Sequence, residues 1–209
     1  MIDLKQANYL DTQDVLKTFR KEFYHNSNEI YLDGNSLGKL PVKAKDSINN
    51  VVENQWGQNL IRSWNDHWLS LSARIESKLA TLLGGSPDEL KVGESTSVNL
   101  YKLIHALLSS TIVPKNLITD SLNFPTDVYI IEGLAKQFHC NPTTIVSYSS
   151  DLKADLNLLK KEIKENPGIV CLSLVSYKSS WLYPMRSLNE YAEENNSIIV
   201  WDLSHAVGV

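Results

Sequence analysis

The chain has 209 residues, with 20 Lys plus Arg against 24 Asp plus Glu and a formal charge of −4. Apolar residues make up 43% and charged residues 21%, the balance of a folded soluble protein and not of a disordered one. No run approaches the roughly 18 apolar residues of a membrane span, Met1–Gln6 lacks the basic-then-apolar order of a secretory signal, and no Lys/Arg block marks a nucleic-acid surface. Cys140 and Cys171 suit a reducing, cytoplasmic compartment better than a disulfide framework.

In chain order, Leu10, Val15, Leu16, Phe19 and Phe23 recur at helical spacing, with Asp11 or Thr12 as N-cap. Glu29–Asp33 reads as a short strand that breaks into the turn-rich Gly34–Gly38, closed by Pro41. A helix is expected over Val42–Asn54, then a loop dense in tryptophan (Trp56, Trp64, Trp68), then a long helix from Asp66 to Leu83 that stops at Gly84-Gly85. From there the pattern alternates. Strand-like runs at Leu90–Val92, Leu117–Thr119, Thr144–Tyr148, Ile169–Ser176 and Ile198–Trp201 are separated by helical segments at Val98–Leu108, Asp127–Phe138, Leu152–Glu165 and Ser187–Asn195. This is the signature of βαβ units: an α/β fold with a mainly parallel sheet covered by helices on both faces. An N-terminal segment, residues 1–50, is expected to precede one large domain over 51–209.

Several local patterns imitate chemistry without its context. Gly34-Asn-Ser-Leu-Gly38 matches the nucleophile elbow G-x-S-x-G, but Lys39-Leu40-Pro41 follows where a helix must begin. As a phosphate loop, Gly34-x-x-x-Gly38-Lys39-Leu40 is one residue short and has Leu at the metal-binding hydroxyl position. The five histidines show no metal-ligand spacing, so no metal site is expected.

Three other segments fall where a parallel sheet binds ligands. Gly93-Glu-Ser-Thr-Ser97 opens a helix with three hydroxyl residues, where backbone N–H groups and the helix dipole suit a phosphate; plain N-capping is the competing reading. Asn123-Phe-Pro-Thr-Asp127 brings an aromatic face and a carboxylate to the start of the next helix, with capping by Thr126 or Asp127 as the alternative. The strand Ile198–Trp201 ends in Asp202, an acid that needs a partner if buried or else caps the following turn. Phosphate cradle, aromatic lid and strand-end aspartate together describe a pyridoxal 5′-phosphate pocket.

The stretches Tyr31–Gly38, Trp56–Trp64, Ser95–Leu100, Asn123–Asp127, Val175–Ser179 and Trp201–Gly208, in this order, resemble kynureninase, and the Trp-Gly-x-x-Leu-Ile-x-x-Trp stretch resembles its bacterial form. The resemblance implies the large domain of a fold-type I, aminotransferase-like pyridoxal-phosphate enzyme. It implies that Thr96 and Ser97 hold the cofactor phosphate and that Phe124 stacks on its ring within the loop Pro125-Thr126-Asp127. Asp127 makes a polar contact, Ser173 lies beside the ring, Asp202 pairs with the pyridine N–H and His205 sits near the phenolic or phosphate side. Ser36 and Trp64 approach the substrate. The implied reaction is hydrolysis of the Cβ–Cγ bond of L-kynurenine or 3-hydroxykynurenine by a homodimer, in tryptophan catabolism and NAD biosynthesis. The family's Schiff-base lysine lies a short way beyond the Trp-Asp-Leu-x-His segment, past Val209, and Lys178 holds a different family position. No catalytic residue is therefore assigned in this chain. A large domain incomplete at its C-terminus, without the small domain, is expected, and this product alone is expected to be inactive. Ser180 stands where the family usually has Gly. The competing readings are a catalytically dead fragment and another fold-type I enzyme of the cysteine desulfurase kind.

Overall fold

The computed structural model describes residues 3–26, 28–141, 143–149 and 151–207. They form two compact units, Met1–Ile75 and Glu76–Val209.

The first unit is helical. Asp3, not Asp11 or Thr12, caps its first helix: its carboxylate accepts from Gln6 N at 2.8 Å, and helix α1 runs Leu4–Gln13. The apolar spacing that continues to Phe23 is broken at Asp14, whose Oδ1 takes Leu16 N (2.8 Å) and turns the chain into a separate 3-10 helix, Lys17–Glu22. The strand expected at Glu29–Asp33 does not form. Ile30 and Leu32 point into solvent, and Tyr31 Oη donates to Asp33 O (2.9 Å) and Leu37 O (2.6 Å), closing the segment on the following turn. Helix α2 spans Val42–Asn50. The tryptophan-rich stretch is helical too, with wide π-type turns at Val51–Asn59 and Trp64–Trp68. Trp68 Nε1 donates to Gln55 Oε1 (2.7 Å) and Ser63 Oγ to Gln55 O (2.6 Å), which folds these turns against each other. Helix α3, Leu71–Leu83, begins later than expected because its first turns are taken by that π-type segment. Among the described residues up to Ile75 only Ser63 is buried; the buried residues of α3, Glu76 and Ala80, belong to the second unit.

The second unit carries the sheet. Its elements are α4 (Thr96–Ser109), β1 (Leu117–Asp120), α5 (Pro125–Gln137), β2 (Thr144–Val146), α6 (Leu156–Glu165), β3 (Ile169–Ser173), α7 (Met185–Glu194) and β4 (Ile198–Asp202). The four strands are parallel, in the order β2-β1-β3-β4. The two central strands, β1 and β3, are buried on both faces, and the alternation decides which helix pair each side chain meets. Leu117, Ile169 and Cys171 pack on α4 and α5 through Leu100, Ile104, Leu108, Ile131 and Leu134. Their neighbours Ile118, Val170 and Leu172 pack on α6 and α7 through Leu159, Ile163 and Leu188. The strand expected at Leu90–Val92 is absent: Val92 N donates to the Glu76 carboxylate (3.1 Å) instead of to a neighbouring strand. The run after β3 turns back on itself, with Leu174 N bonded to Asp202 O (2.9 Å) and Val175 bridged antiparallel to Leu182.

Ser180, in that return, has φ +57°. This is the left-handed region, where a Cβ costs about 1 kcal/mol or more. Ser180→Gly is therefore expected to stabilise the chain by about 0.5–1 kcal/mol, read as a higher urea midpoint at unchanged slope. Among the described residues no helix is long and apolar enough to cross a membrane.

Candidate functional site

The carboxyl edge of the sheet gathers the polar residues of the second unit. The register of β3 and β4 pairs Ser173 with Asp202 at their last positions. Thr119 and Asp120 end β1, and the loop that follows delivers Asn123, Phe124 and the first turn of α5 to the same edge. Helix α4 leads through residues 110–116 into the amino end of β1 and packs along the same face, so its first turn, with Thr96 and Ser97, lies toward the carboxyl edge. Ser95 caps that helix, its Oγ accepting from Val98 N (3.4 Å), which leaves the hydroxyls of Thr96, exposed, and Ser97, half-buried, uncommitted to the cap.

Neither Thr126 nor Asp127 caps α5. Phe124 is its N-cap residue and Pro125 opens the helix, while the exposed Thr126 follows. Asp127 is 1% exposed, and its Oδ2 has no hydrogen-bond partner among the described residues. Burial, reinforced by the negative charge of Asp202 and opposed by the Thr126 hydroxyl, pushes the Asp127 carboxyl up to about 6. Asp202 does cap its turn, but with one oxygen: Oδ1 accepts Ser204 N (2.8 Å) and Ser204 Oγ (2.6 Å). Its other oxygen has no hydrogen bond among the described residues. A buried acid whose Oδ2 has no partner among the described residues, beside the negative charge of Asp202, fits a ligand that brings a protonated nitrogen to this edge. His205 is half-buried in the turn after Asp202.

Phe124 is partly exposed and meets Tyr177 edge-to-face, ring centroids 5.2 Å apart. Lys178 Nζ lies 5.6 Å from the Tyr177 ring centroid. Ser173 is buried, and its hydroxyl donates to Asn123 Oδ1 at 2.7 Å. Ser36 and Trp64 belong to the first unit: Ser36 Oγ donates to Asp33 Oδ1 (2.8 Å), and Trp64 packs edge-to-face on Trp68 at 5.7 Å. Thus Phe124, Asp127, Ser173 and Asp202 share one edge of the second unit, with Thr96 and Ser97 on the helix of the same face.

Sequence reasoning passed over Asp120 and Tyr177. Asp120 is 2% exposed, its Oδ1 accepts Leu122 N (2.9 Å), its Oδ2 has no partner among the described residues, and burial pushes it up to about 6 against the Leu122 and Asn123 N–H groups. An acid directly after Leu117-Ile118-Thr119 was the available signal. Below the edge, burial and the nearby Asp127 charge push the Cys171 thiol up, so it stays a neutral packing residue.

Both raised carboxyls bind protons more tightly in the folded chain than in the unfolded one. Their stabilisation is intact below about pH 4 and is lost as the pH rises through about 6. Asp127→Asn is expected to make the ligand-free chain about 2 kcal/mol more stable than the parent at pH 7, with a smaller difference at pH 4.5. Urea unfolding at the two pH values checks this.

No protein-family model matches the chain. It is 38% identical over 204 residues to a kynureninase of Pseudomonas fluorescens, covering 95% of this chain and 48% of that protein. A kynureninase of Deinococcus radiodurans is 35% identical over 213 residues, covering 99% and 50%. Among solved structures, the cystine C-S lyase C-DES with glycine linked to its PLP cofactor superposes with TM-score 0.78 at 15% identity, over 90% of this chain and 50% of that one. A cysteine desulfurase of Escherichia coli gives 0.74 at 14% identity, over 91% and 49%. The fold is therefore the α/β fold of these fold-type I enzymes, seen over half of their length. Over nearly its whole length the chain is similar to kynureninases, and it spans about half the length of the curated relatives it matches.

Proposed function

We propose that this chain supplies the cofactor-binding half of a kynureninase-type hydrolase, which cleaves the Cβ–Cγ bond of L-kynurenine to anthranilate and alanine with pyridoxal 5′-phosphate. The observation that carries the reading is the 32–38% identity to kynureninases over 95–99% of the chain. The pair Asp127–Asp202 beside Phe124 supports the cofactor, since it suits a protonated heterocycle. Identity to the desulfurases of the same fold is far lower, at 14–18%.

In this reading Thr96 and Ser97 bind the phosphate with the N–H groups of the first turn of α4. Phe124 covers the ring, with Pro125 and Thr126 shaping the loop. The free oxygen of Asp202 holds the proton on the pyridine nitrogen, and Asp127 adds a second negative group. Ser173 and His205 flank the ring. Ser36 and Trp64 meet the substrate. When bound, the cofactor is a sink for the negative charge that develops at Cα and Cβ of the substrate. Assembly as a homodimer in the cytoplasm belongs to the same proposal. The first unit supports a need for apolar cover, because Trp56, Leu60, Ile61 and Trp64 are 49–74% exposed.

The test is titration of the protein with pyridoxal phosphate, followed by tryptophan quenching, and assay of the gene product that carries this chain with L-kynurenine and with L-cysteine. Saturable cofactor binding and anthranilate release from kynurenine are expected. Sulfur release from cysteine without anthranilate would overturn the reading.

A further inference from the structure

We propose that Asn123 is the positioning residue of this site, a clip that fixes Phe124 and Ser173 through one side-chain amide. Every hydrogen-bonding position of that amide is used. Its Nδ2 donates to Thr119 Oγ1 (3.0 Å) and to Cys171 O (3.2 Å). Its Oδ1 accepts from Ser173 Oγ (2.7 Å) and from Phe124 N (2.8 Å). Asn123 is 4% exposed, Thr119 fully buried and Ser173 5% exposed, so water does not replace these partners.

The orientation is enforced by where the protons go. The Thr119 hydroxyl spends its hydrogen on Cys171 O (2.8 Å), so its oxygen is left to accept from Asn123. Phe124 N–H is a donor, so only the amide oxygen can face it. One side chain thereby ties β1 to β3 and holds the backbone of the N-cap residue of α5. Phe124 keeps its extended backbone (φ −66°, ψ 136°) as N-cap without a side-chain cap of its own. The clip instead holds the N–H of the N-cap residue itself, from the residue before. Ser173 gives its proton to Asn123 and faces a ligand only as an acceptor.

The consequence for the cofactor rests on the proposed function; the clip itself does not. Asn123→Asp has the same shape but sets an oxygen against Cys171 O, and Asn123→Ala removes all four bonds. Amide hydrogen exchange in the ligand-free protein is expected to speed up at least tenfold at Phe124 in Asn123→Ala, which removes the acceptor of that N–H, while the amides of α7 are unchanged. Affinity for pyridoxal phosphate is expected to fall at least tenfold, and the induced circular dichroism of the bound cofactor to change. Against a Phe124→Ala/Ser173→Ala background, Asn123→Ala should add less than twofold, as it must if Asn123 acts through Phe124 and Ser173. Equal exchange at Phe124 in parent and Asn123→Ala, or full additivity with that double background, overturns the clip. Unfolding of both Asn123 variants overturns it too, assigning the amide to stability alone. If the parent binds no cofactor but Phe124 exchange still responds to Asn123, the clip stands and the proposed function fails.

Discussion

Asp202→Asn is expected to lower kcat/KM for L-kynurenine at least 100-fold with no loss of fold, in the gene product that carries this chain. The substitution isolates charge. Oδ1 of Asp202 holds the turn after β4 through Ser204 N and Ser204 Oγ, and an asparagine carbonyl accepts the same two bonds. What disappears is the negative oxygen beside Asp127, the group that in the proposed reading keeps the proton on the pyridine nitrogen. A preorganised charge in a site with little water contributes about 10²–10³ in rate when removed. The measurement is anthranilate fluorescence under kcat/KM conditions, with thermal melts of both proteins as the control for folding. Turnover within threefold of the parent would show that Asp202 is only a turn cap.

Gly168→Ala is expected to destabilise the second unit by about 3 kcal/mol. Gly168 lies between the stop of α6 at Asn166-Pro167 and the first residue of β3. A Cβ built there falls 2.3 Å from Asn116 O and 2.9 Å from Asn116 C, both backbone atoms. Neither side can retreat cheaply. Asn116 O accepts Ile169 N (2.8 Å), Asn116 Nδ2 donates to Pro167 O (3.0 Å), Gly168 N donates to Ser197 Oγ (3.0 Å), and Gly168 O accepts Ile198 N (3.0 Å). These bonds join the amino ends of β1, β3 and β4, so a shift that admits the methyl loosens three strands at once. Gly133 is the internal comparison: it lies inside α5 with nothing within 4 Å of an added Cβ. Gly133→Ala should stabilise by up to about 1 kcal/mol through helix propensity. Urea denaturation of the two variants separates close contact from a general dislike of substitution. A loss under about 1 kcal/mol for Gly168→Ala would mean that Asn116 moves aside.

The parts of the fold that were legible in the sequence are those where side-chain period and burial agree. β1, β3 and β4 are continuous apolar runs bounded by turn residues, and the helices between them carry apolar stripes at helical spacing, so the parallel α/β arrangement follows from pattern. Where a run lacked a partner the pattern misled. Glu29–Asp33 alternates like a strand but has no neighbour, and Leu90–Val92 gives its backbone bond to Glu76. The tryptophans looked like a loop because Trp, Asn and Gly are weak helix formers, while Gln55, bonded to Ser63 and Trp68, draws the segment into turns.

For the site, the sequence by itself determined which residue types stand at the strand ends and helix starts: Thr96, Ser97, Phe124, Asp127, Ser173 and Asp202. Each of those motifs left a bland capping role open, because a cap and a ligand contact ask for the same residue types at the same place. Which partners these residues meet was decided only by the tertiary structure. Among the described residues it buries Asp127 without a partner for Oδ2, bonds one oxygen of Asp202 to its turn, and turns the amide of Asn123 inward to join two strands and a helix. Burial and hydrogen-bond saturation are properties of neighbours distant in the chain, and no local pattern encodes which neighbours will arrive.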